Sequence, residues 1–194
     1  MKRVIICLSL LALVPLLAAC TDDANAKPTQ IADNAAQVAR GRYLVKFGGC
    51  NDCHTPLKMG PKGPEPDMSR ELSGHPHDLV VTQPPKLNGP WMASASGTMT
   101  AWAGPWGISY ARNLTPDEVS GLGIWNEGMF VKTMRTGRHM GVSRPLLPPM
   151  PWQSLNSLND DDLKAIFAYL QSIKPIRNEV PDPVIAPPPP ATNG

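Results

Sequence analysis

One pentapeptide, Cys-Asn-Asp-Cys-His at residues 50–54, limits what this 194-residue chain can do more than any other stretch. Two cysteines three positions apart, with a histidine directly after them, occur in three kinds of site. These are half of a zinc site, a dithiol redox pair, and an attachment site for haem. Each kind of site requires different further residues or secondary structure elsewhere in the chain, and their presence or absence distinguishes the three possibilities.

The first 19 residues resemble a secretory signal rather than part of a folded domain. Lys2 and Arg3 precede an apolar run that is too short for a stable membrane span and ends just before Cys20. The ending, Leu-Ala-Ala-Cys, is similar to a bacterial lipobox, in which the peptide is cut before a cysteine that carries lipid. We therefore expect residues 1–19 to be removed and Cys20 to be lipidated. An ordinary signal with an accidental cysteine is the alternative.

Removal of this signal also changes the charge of the chain. It takes away Lys2 and Arg3 and no acid, so Lys plus Arg falls from 18 to 16 and equals the 16 Asp plus Glu. A neutral chain has no basic field to attract nucleic acid, so we expect no nucleic-acid partner. Cys50 and Cys53 then remain as one close pair, which does not make a disulfide scaffold.

The rest of the chain divides into three parts. Residues 20–35 are small and polar, as is typical of a flexible tether. Residues 36–178 have the length of one domain. Residues 179–194 are dense in proline, and we expect a disordered, extended tail that joins neither helix nor sheet.

Apolar spacing and capping residues predict three helices inside the domain. The first covers about 34–47 and the second about 125–135. The third begins at a cap on Asn159 or Asp160 and stops at Pro175.

The segment between the first two helices, residues 56–123, holds many prolines and glycines and little periodicity. Such a composition predicts a long loop wrapped around something large and apolar that is not protein. His75 and His77 lie in this loop, and we expect them on the solvated surface rather than in a ligand pair.

The sequence lacks the further ligands that a zinc site needs and the strand–helix–strand context that a redox dithiol needs. A structural zinc site needs four ligands, and no second Cys-x-x-Cys and no His-x-x-x-His occurs. A thioredoxin-type pair opens a helix within a strand–helix–strand unit, whereas Cys50 and Cys53 follow a predicted helix. One helical turn would put Cys50, Cys53 and His54 on one face. The pattern therefore favours covalent haem, with two thioether bonds and an imidazole that points at the iron.

A second ligand to the iron must then come from downstream. The candidates are Met92, Met99, Met129, Met134, Met140, Met150 and His139. We favour Met150, because prolines on both sides should hold its backbone extended and present the thioether without helix packing. Met129 and Met134 are interpreted as core residues of the second helix, and Met140 stays open.

Four stretches carry a resemblance to a known family. They read RGRYLVKFGGCNDCHTP, GPWGISYARNLTPDEVSGLGIWNEGMFVKTMRTGRHMG, LLPPMPWQSL and LNDDDLKAIFAYLQSIKPIRNEVP. Together they resemble class I-type, single-haem cytochromes c of bacterial periplasmic electron transport, especially the cytochrome subunits that accept electrons from membrane-associated dehydrogenases. The resemblance implies an all-α cytochrome c fold around one covalently bound haem c, in which Gly41 and Tyr43 of the first helix lie near Tyr169 and Leu170 of the last.

The resemblance also implies roles for individual residues. His54 and Met150 would be the axial ligands, and the carbonyl of Pro105 would accept a hydrogen bond from the other ring nitrogen of His54. The residues implied to contact the haem propionates or the macrocycle are Arg112, Asn113, Arg138, Trp106 and Trp125. The insertion at residues 57–97 departs from minimal members of the family and would cover a haem edge or form a docking surface.

What the resemblance implies for function is one-electron transfer rather than enzymatic turnover. The chain would be anchored by lipid on the periplasmic side of a bacterial membrane, with a dehydrogenase as donor and a cytochrome or oxidase as acceptor. Two other functions stay open. One is a haem peroxidase or gas-binding sensor with an open sixth site, beside which His139 is the nearby polar residue. The other is a subunit that only docks a dehydrogenase to the membrane.

Overall fold

The structure is a computed structural model and describes residues 27–187 except Thr82, Pro85 and Asn88. The predicted signal, the lipidation site Cys20 and the last seven residues of the tail (188–194) lie outside the described residues. The described chain contains five α-helices and two small antiparallel sheets. The expected all-α class is therefore corrected: the helices are accompanied by sheet. No helix in the described part is long and apolar enough to span a bilayer.

The helices confirm the three predicted segments and add two. They are α1 (Lys27–Phe47), α2 (Cys50–His54), α3 (Glu127–Thr136), α4 (Trp152–Asn156) and α5 (Asp160–Ser172). Because α1 begins at Lys27, the predicted tether is corrected to helix over residues 27–35. Asn159 caps α5 by accepting a hydrogen bond from the Asp162 N–H at 2.7 Å, as the sequence predicts.

The first and last helices cross, as the resemblance implies. A Cβ on Gly41 would come within 1.8 Å of the Ala165 carbonyl oxygen, so glycine allows the two backbones to approach this closely. Val45 and Leu163 are fully buried beside the crossing, and burial of each side chain contributes about 1.5–3 kcal/mol to the free energy of folding. Tyr43, also expected at the crossing, is instead 56% exposed and stacks on the ring of Phe47, which is 80% exposed.

Both sheets use parts of the segment predicted as a long loop. The hairpin pairs β1 (Leu57–Gly60) with β2 (Gly63–Pro66). The second sheet has the order β3 (Ser94–Ala95), β4 (Ala101–Gly104), β5 (Gly107–Tyr110) and β6 (Val184–Ile185). Strands of two to four residues are too short to leave a clear alternating pattern, which is why sequence periodicity misses them.

The strand β6 comes from the proline-rich tail and corrects the prediction that this tail joins no sheet. Val184 and Ile185 lie between prolines, but they pair with β5 at the edge of the sheet, where proline is tolerated. The N–H of Ala186 donates to the Trp106 carbonyl, and Val180 is buried. Residues 176–187, here called the C-terminal strap, therefore pack onto the domain.

Candidate cofactor site

The Cys-x-x-Cys-His pentapeptide forms α2, a single helical turn, as predicted. Residues at positions i, i+3 and i+4 share one face of a helix, so Cys50, Cys53 and His54 project together. Both cysteines are half-buried free thiols, whereas His54 is only 8% exposed. The turn thus presents two half-buried cysteines beside one shielded imidazole.

The two thiols have the wrong acidity for redox chemistry. Burial raises the pKa of Cys50 to about 11. Burial raises the pKa of Cys53 as well, and the nearby Asp52 carboxylate acts in the same direction. A reactive dithiol needs a lowered pKa, so that thiolate is present near neutral pH. Nor does any group of three His, Cys, Asp or Glu side chains converge on a metal site among the described residues, which leaves the zinc half-site without partners there.

One backbone contact orients the imidazole of His54. Its Nδ1 lies 2.7 Å from the carbonyl oxygen of Arg112. A carbonyl can only accept, so Nδ1 carries the proton and Nε2 keeps its lone pair. Burial lowers the pKa of His54, and the bond to Arg112 opposes this only in part, so the neutral ring is favoured. A neutral imidazole with one nitrogen fixed by a carbonyl is the form in which histidine binds metal.

The carbonyl in this contact belongs to Arg112 and not to Pro105, which corrects the prediction. Pro105 is exposed in the turn that reverses the chain between β4 and β5, whereas Arg112 follows β5 as the chain passes α2. The resemblance implied the right kind of contact, but the hairpin occupies Pro105 and moves the accepting carbonyl seven residues along the chain.

Asn113, expected at a haem propionate, is committed to protein partners instead. It is 2% exposed, and its Nδ2 donates to the Ser120 hydroxyl and to the Ile176 carbonyl. Its Oδ1 accepts from the Thr115 N–H and hydroxyl. With both amide hydrogens in use, this side chain ties the C-terminal strap to the domain, and contact of Asn113 with a propionate stays a prediction.

The two arginines expected at the propionates differ in their contacts. Nη1 of Arg112 donates to the carbonyls of Val180 and Pro181, both at 3.0 Å, so it too holds the C-terminal strap. Arg138 is exposed, and its backbone bridges to Pro145. Contact of either side chain with a propionate stays a prediction.

Met150 lies half-buried at the margin of the hydrophobic core, where Cys50 also packs. It lines a cleft of about 270 Å³ together with Leu146 and Trp152. The backbone before it is not extended as expected: Pro148 and Pro149 form a turn, and the Met150 N–H donates to the Leu147 carbonyl at 3.2 Å. Ligation of iron by Met150 stays a prediction.

The other ligand candidates differ widely in exposure. Met134 is a core residue, as predicted, while Met92 is 68% exposed. Met140 has a left-handed backbone, with φ of 53°, beside His139. The His139 ring lies edge-on to that of Trp125, 5.3 Å between centroids. Packing of Trp125, at the core margin, and of Trp106, whose Nε1 donates to the Ser109 hydroxyl, against a macrocycle stays a prediction.

Sequence reasoning missed the role of His75, which is fully buried rather than solvated. Its Nδ1 is 2.9 Å from the Thr100 hydroxyl, and its Nε2 is 2.9 Å from the Leu79 carbonyl. Burial lowers its pKa, so the neutral ring is favoured here too. His77, in contrast, is exposed as expected. Nothing in the local pattern distinguishes these two histidines, because the burial of His75 depends on Thr100, which lies 25 residues further along the chain.

A helical Cys-x-x-Cys-His turn, with its histidine neutral and oriented by a carbonyl, has the features of a c-type haem-attachment site, and the residues present fit that group. No family model matches the chain. Over 74–81% of its length, however, the chain is homologous to cytochrome c subunits of bacterial dehydrogenases.

These relatives include the fructose dehydrogenase cytochrome subunit of Gluconobacter japonicus, 26% identical over 81% of this chain. The gluconate 2-dehydrogenase cytochrome c subunit of Pantoea cypripedii is 30% identical over 74%. The alcohol dehydrogenase (quinone) cytochrome c subunit of Gluconobacter oxydans is 29% identical over 81%. The chain covers 25%, 25% and 26% of these three relatives, so it corresponds to about a quarter of each.

Proposed function

We propose that this protein is a one-electron carrier that holds a single haem c through thioether bonds to Cys50 and Cys53. The observation that carries the proposal is the helical turn of α2, with His54 Nδ1 fixed 2.7 Å from the Arg112 carbonyl. When bound, the haem supplies an iron that alternates between ferrous and ferric states. The chain supplies two anchors, an oriented imidazole, and a core that keeps water from it.

His54 and Met150 are the proposed axial ligands. In support, the thioether of Met150 and the thiol of Cys50 both pack at the margin of one core cluster. Met140, in contrast, is confined by a strained, left-handed backbone in the short helical turn His139–Gly141. Methionine paired with histidine raises the reduction potential of a haem, which suits an acceptor of electrons from a dehydrogenase.

Substitution of the two methionines tests this assignment. Oxidised haem with sulfur ligation has a weak long-wavelength absorption band, which we expect in the unmodified protein and in M140A. We expect M150A to lose the band while its haem stays covalently attached. A band that survives in M150A and disappears in M140A would reverse the assignment.

The proposed partners follow from the relatives, several of which are cytochrome subunits of dehydrogenases. We infer that a dehydrogenase on the periplasmic side of a bacterial membrane donates electrons to this chain, and that a cytochrome or oxidase accepts them. Lipid on Cys20 would confine the carrier to the membrane surface beside both. The C20S variant should therefore be found in the soluble rather than the membrane fraction of the cells. Its retention in the membrane fraction would show that lipid on Cys20 is not the anchor.

A further inference from the structure

We propose that Asn178, in the C-terminal strap, is a positioning residue for the axial ligand His54. It does not touch the imidazole. It fixes a loop, residues 72–75, that lies between the end of α2 and the backbone whose carbonyl orients the ring. The inference rests on the proposed haem site and adds a determinant of its reduction potential.

The 72–75 loop is bonded to the turn that carries the ligand. The N–H of Leu72 donates to the hydroxyl of Thr55 at 2.9 Å, and the N–H of Gly74 donates to the carbonyl of His54 at 2.8 Å. Thr55 and Leu72 are fully buried, so water does not compete for these bonds. The loop therefore holds the C-terminal end of α2 in place.

The same loop is bonded on its other side to the segment that contains Arg112. The N–H of His75 donates to the Ala111 carbonyl at 2.9 Å, and the carbonyl of Leu72 accepts from the Leu114 N–H at 2.8 Å. Gly74 has φ of +81°, and a Cβ there would lie 2.7 Å from the Arg112 carbonyl oxygen. The loop is thus pressed against the oxygen that accepts the hydrogen bond of His54.

Asn178 fixes this loop through its side-chain amide, whose oxygen bonds just beyond the loop. That side chain is buried, and Nδ2 donates to the carbonyls of Ser73 and His75 at 2.7 and 2.8 Å. Its Oδ1 accepts from the His77 N–H at 3.0 Å, and the backbone N–H of Asn178 donates to the Ser120 hydroxyl. Removing this amide would leave two buried carbonyls without a donor, and the loop would then shift.

A shift of the loop changes the chemistry through the Nδ1–H to carbonyl contact. That bond makes the imidazole a stronger electron donor to a metal and favours the oxidised state. Loosening the contact should therefore raise the midpoint potential. At a fixed ambient potential, we expect the ferrous-to-ferric ratio to rise by about tenfold. This is the low end of the roughly 10–100-fold change in metal affinity or activity that follows loss of a hydrogen-bond partner of a metal ligand.

The test is a redox titration of haem-loaded N178A and G74A with two matched controls. R177A changes the exposed neighbour of Asn178; among the described residues, the Arg177 side chain pairs with Glu179. G63A replaces another glycine with positive φ, but its Cβ would meet nothing within 4 Å. We expect N178A and G74A to move to higher potential, and both controls to stay at the value of the unmodified protein.

Unchanged potentials in N178A and G74A, or equal shifts in the controls, would overturn the proposal. If N178A does not fold, N178S carries the test, because its hydroxyl can still donate to one of the two carbonyls and should give a smaller shift. The unmodified protein separates this inference from the proposed function. Absence of covalent haem there refutes the proposed function, whereas a normal haem with an unresponsive potential refutes only the role of Asn178.

Discussion

The surroundings of His54 and of Met150 are held in very different ways. Around His54, buried hydrogen bonds connect α2 to the 72–75 loop and that loop to residues 111–114. Around Met150, the backbone forms a local turn in which the Met150 N–H donates to the Leu147 carbonyl. The prolines that precede Met150 are held by a contact from a distant strand, in which the Ser109 hydroxyl donates to the Pro148 carbonyl. The protein therefore orients the imidazole by itself, while the position of the thioether depends more on the bond it is proposed to make.

The largest expected effect comes from removing the anchors on the His54 side. We expect the double variant C50S and C53S to carry no covalent haem, while M150A keeps its haem, because each sulfur atom of α2 is itself a covalent link. Haem staining of denatured protein measures this. The double variant should also fail to pass electrons from the partner dehydrogenase to its native acceptor, and full turnover there would instead favour a subunit that only docks the enzyme.

The second effect concerns stability and compares one buried hydroxyl from each side. Thr55 donates to Asn51 Oδ1 and accepts from the buried Leu72 N–H, so T55V should cost about 2–3 kcal/mol of unfolding free energy. The Ser109 hydroxyl donates to the carbonyl of the exposed Pro148 and accepts from Nε1 of the half-buried Trp106. Because water can reach both partners, S109A should cost about 0.5–1 kcal/mol of unfolding free energy. Denaturant unfolding of the haem-loaded variants measures both, and equal costs would contradict the contrast between the two sides.

These contrasts also explain what the sequence could reveal. The Cys50 to His54 turn and the Asn159 cap of α5 were predictable, because spacing and capping are local properties. The acceptor Arg112 was not, because it depends on where the β4–β5 hairpin places the chain. The packing of the C-terminal strap onto the domain was not predictable either, because its hydrogen bonds join residues about 60–105 positions apart, such as Asn178 and Ser73.

The proline-rich tail is a second case in which the sequence alone predicted the wrong structure. Its composition suggested a segment without helix or sheet, and composition ignores which N–H groups remain between the prolines. Val184, Ile185 and Ala186 keep theirs, and they meet β5 and the Trp106 carbonyl at a sheet edge. A tail that resembles a linker is thus part of the support for Arg112 and Asn113.

A further prediction concerns the pH dependence that buried His75 gives to stability. Its folded-state pKa is lowered by burial, while an unfolded histidine titrates near 6.5. Above that pH both states are neutral. As the pH falls below it, the unfolded chain takes up a proton that the folded chain resists, so stability is lost by at most about 1.4 kcal/mol per pH unit. Stability curves of H75Q should be flatter below this pH than those of H77Q, and parallel curves would contradict the assignment.

The most direct test of the account is carbon monoxide binding to the reduced, untreated protein. If His54 and Met150 occupy both axial positions, the spectrum should not change in the first seconds after mixing. M150A, with one position open, should bind rapidly and serve as the positive control. Rapid binding by the unmodified protein would contradict the proposed ligation and favour a peroxidase or gas-binding sensor over an electron carrier.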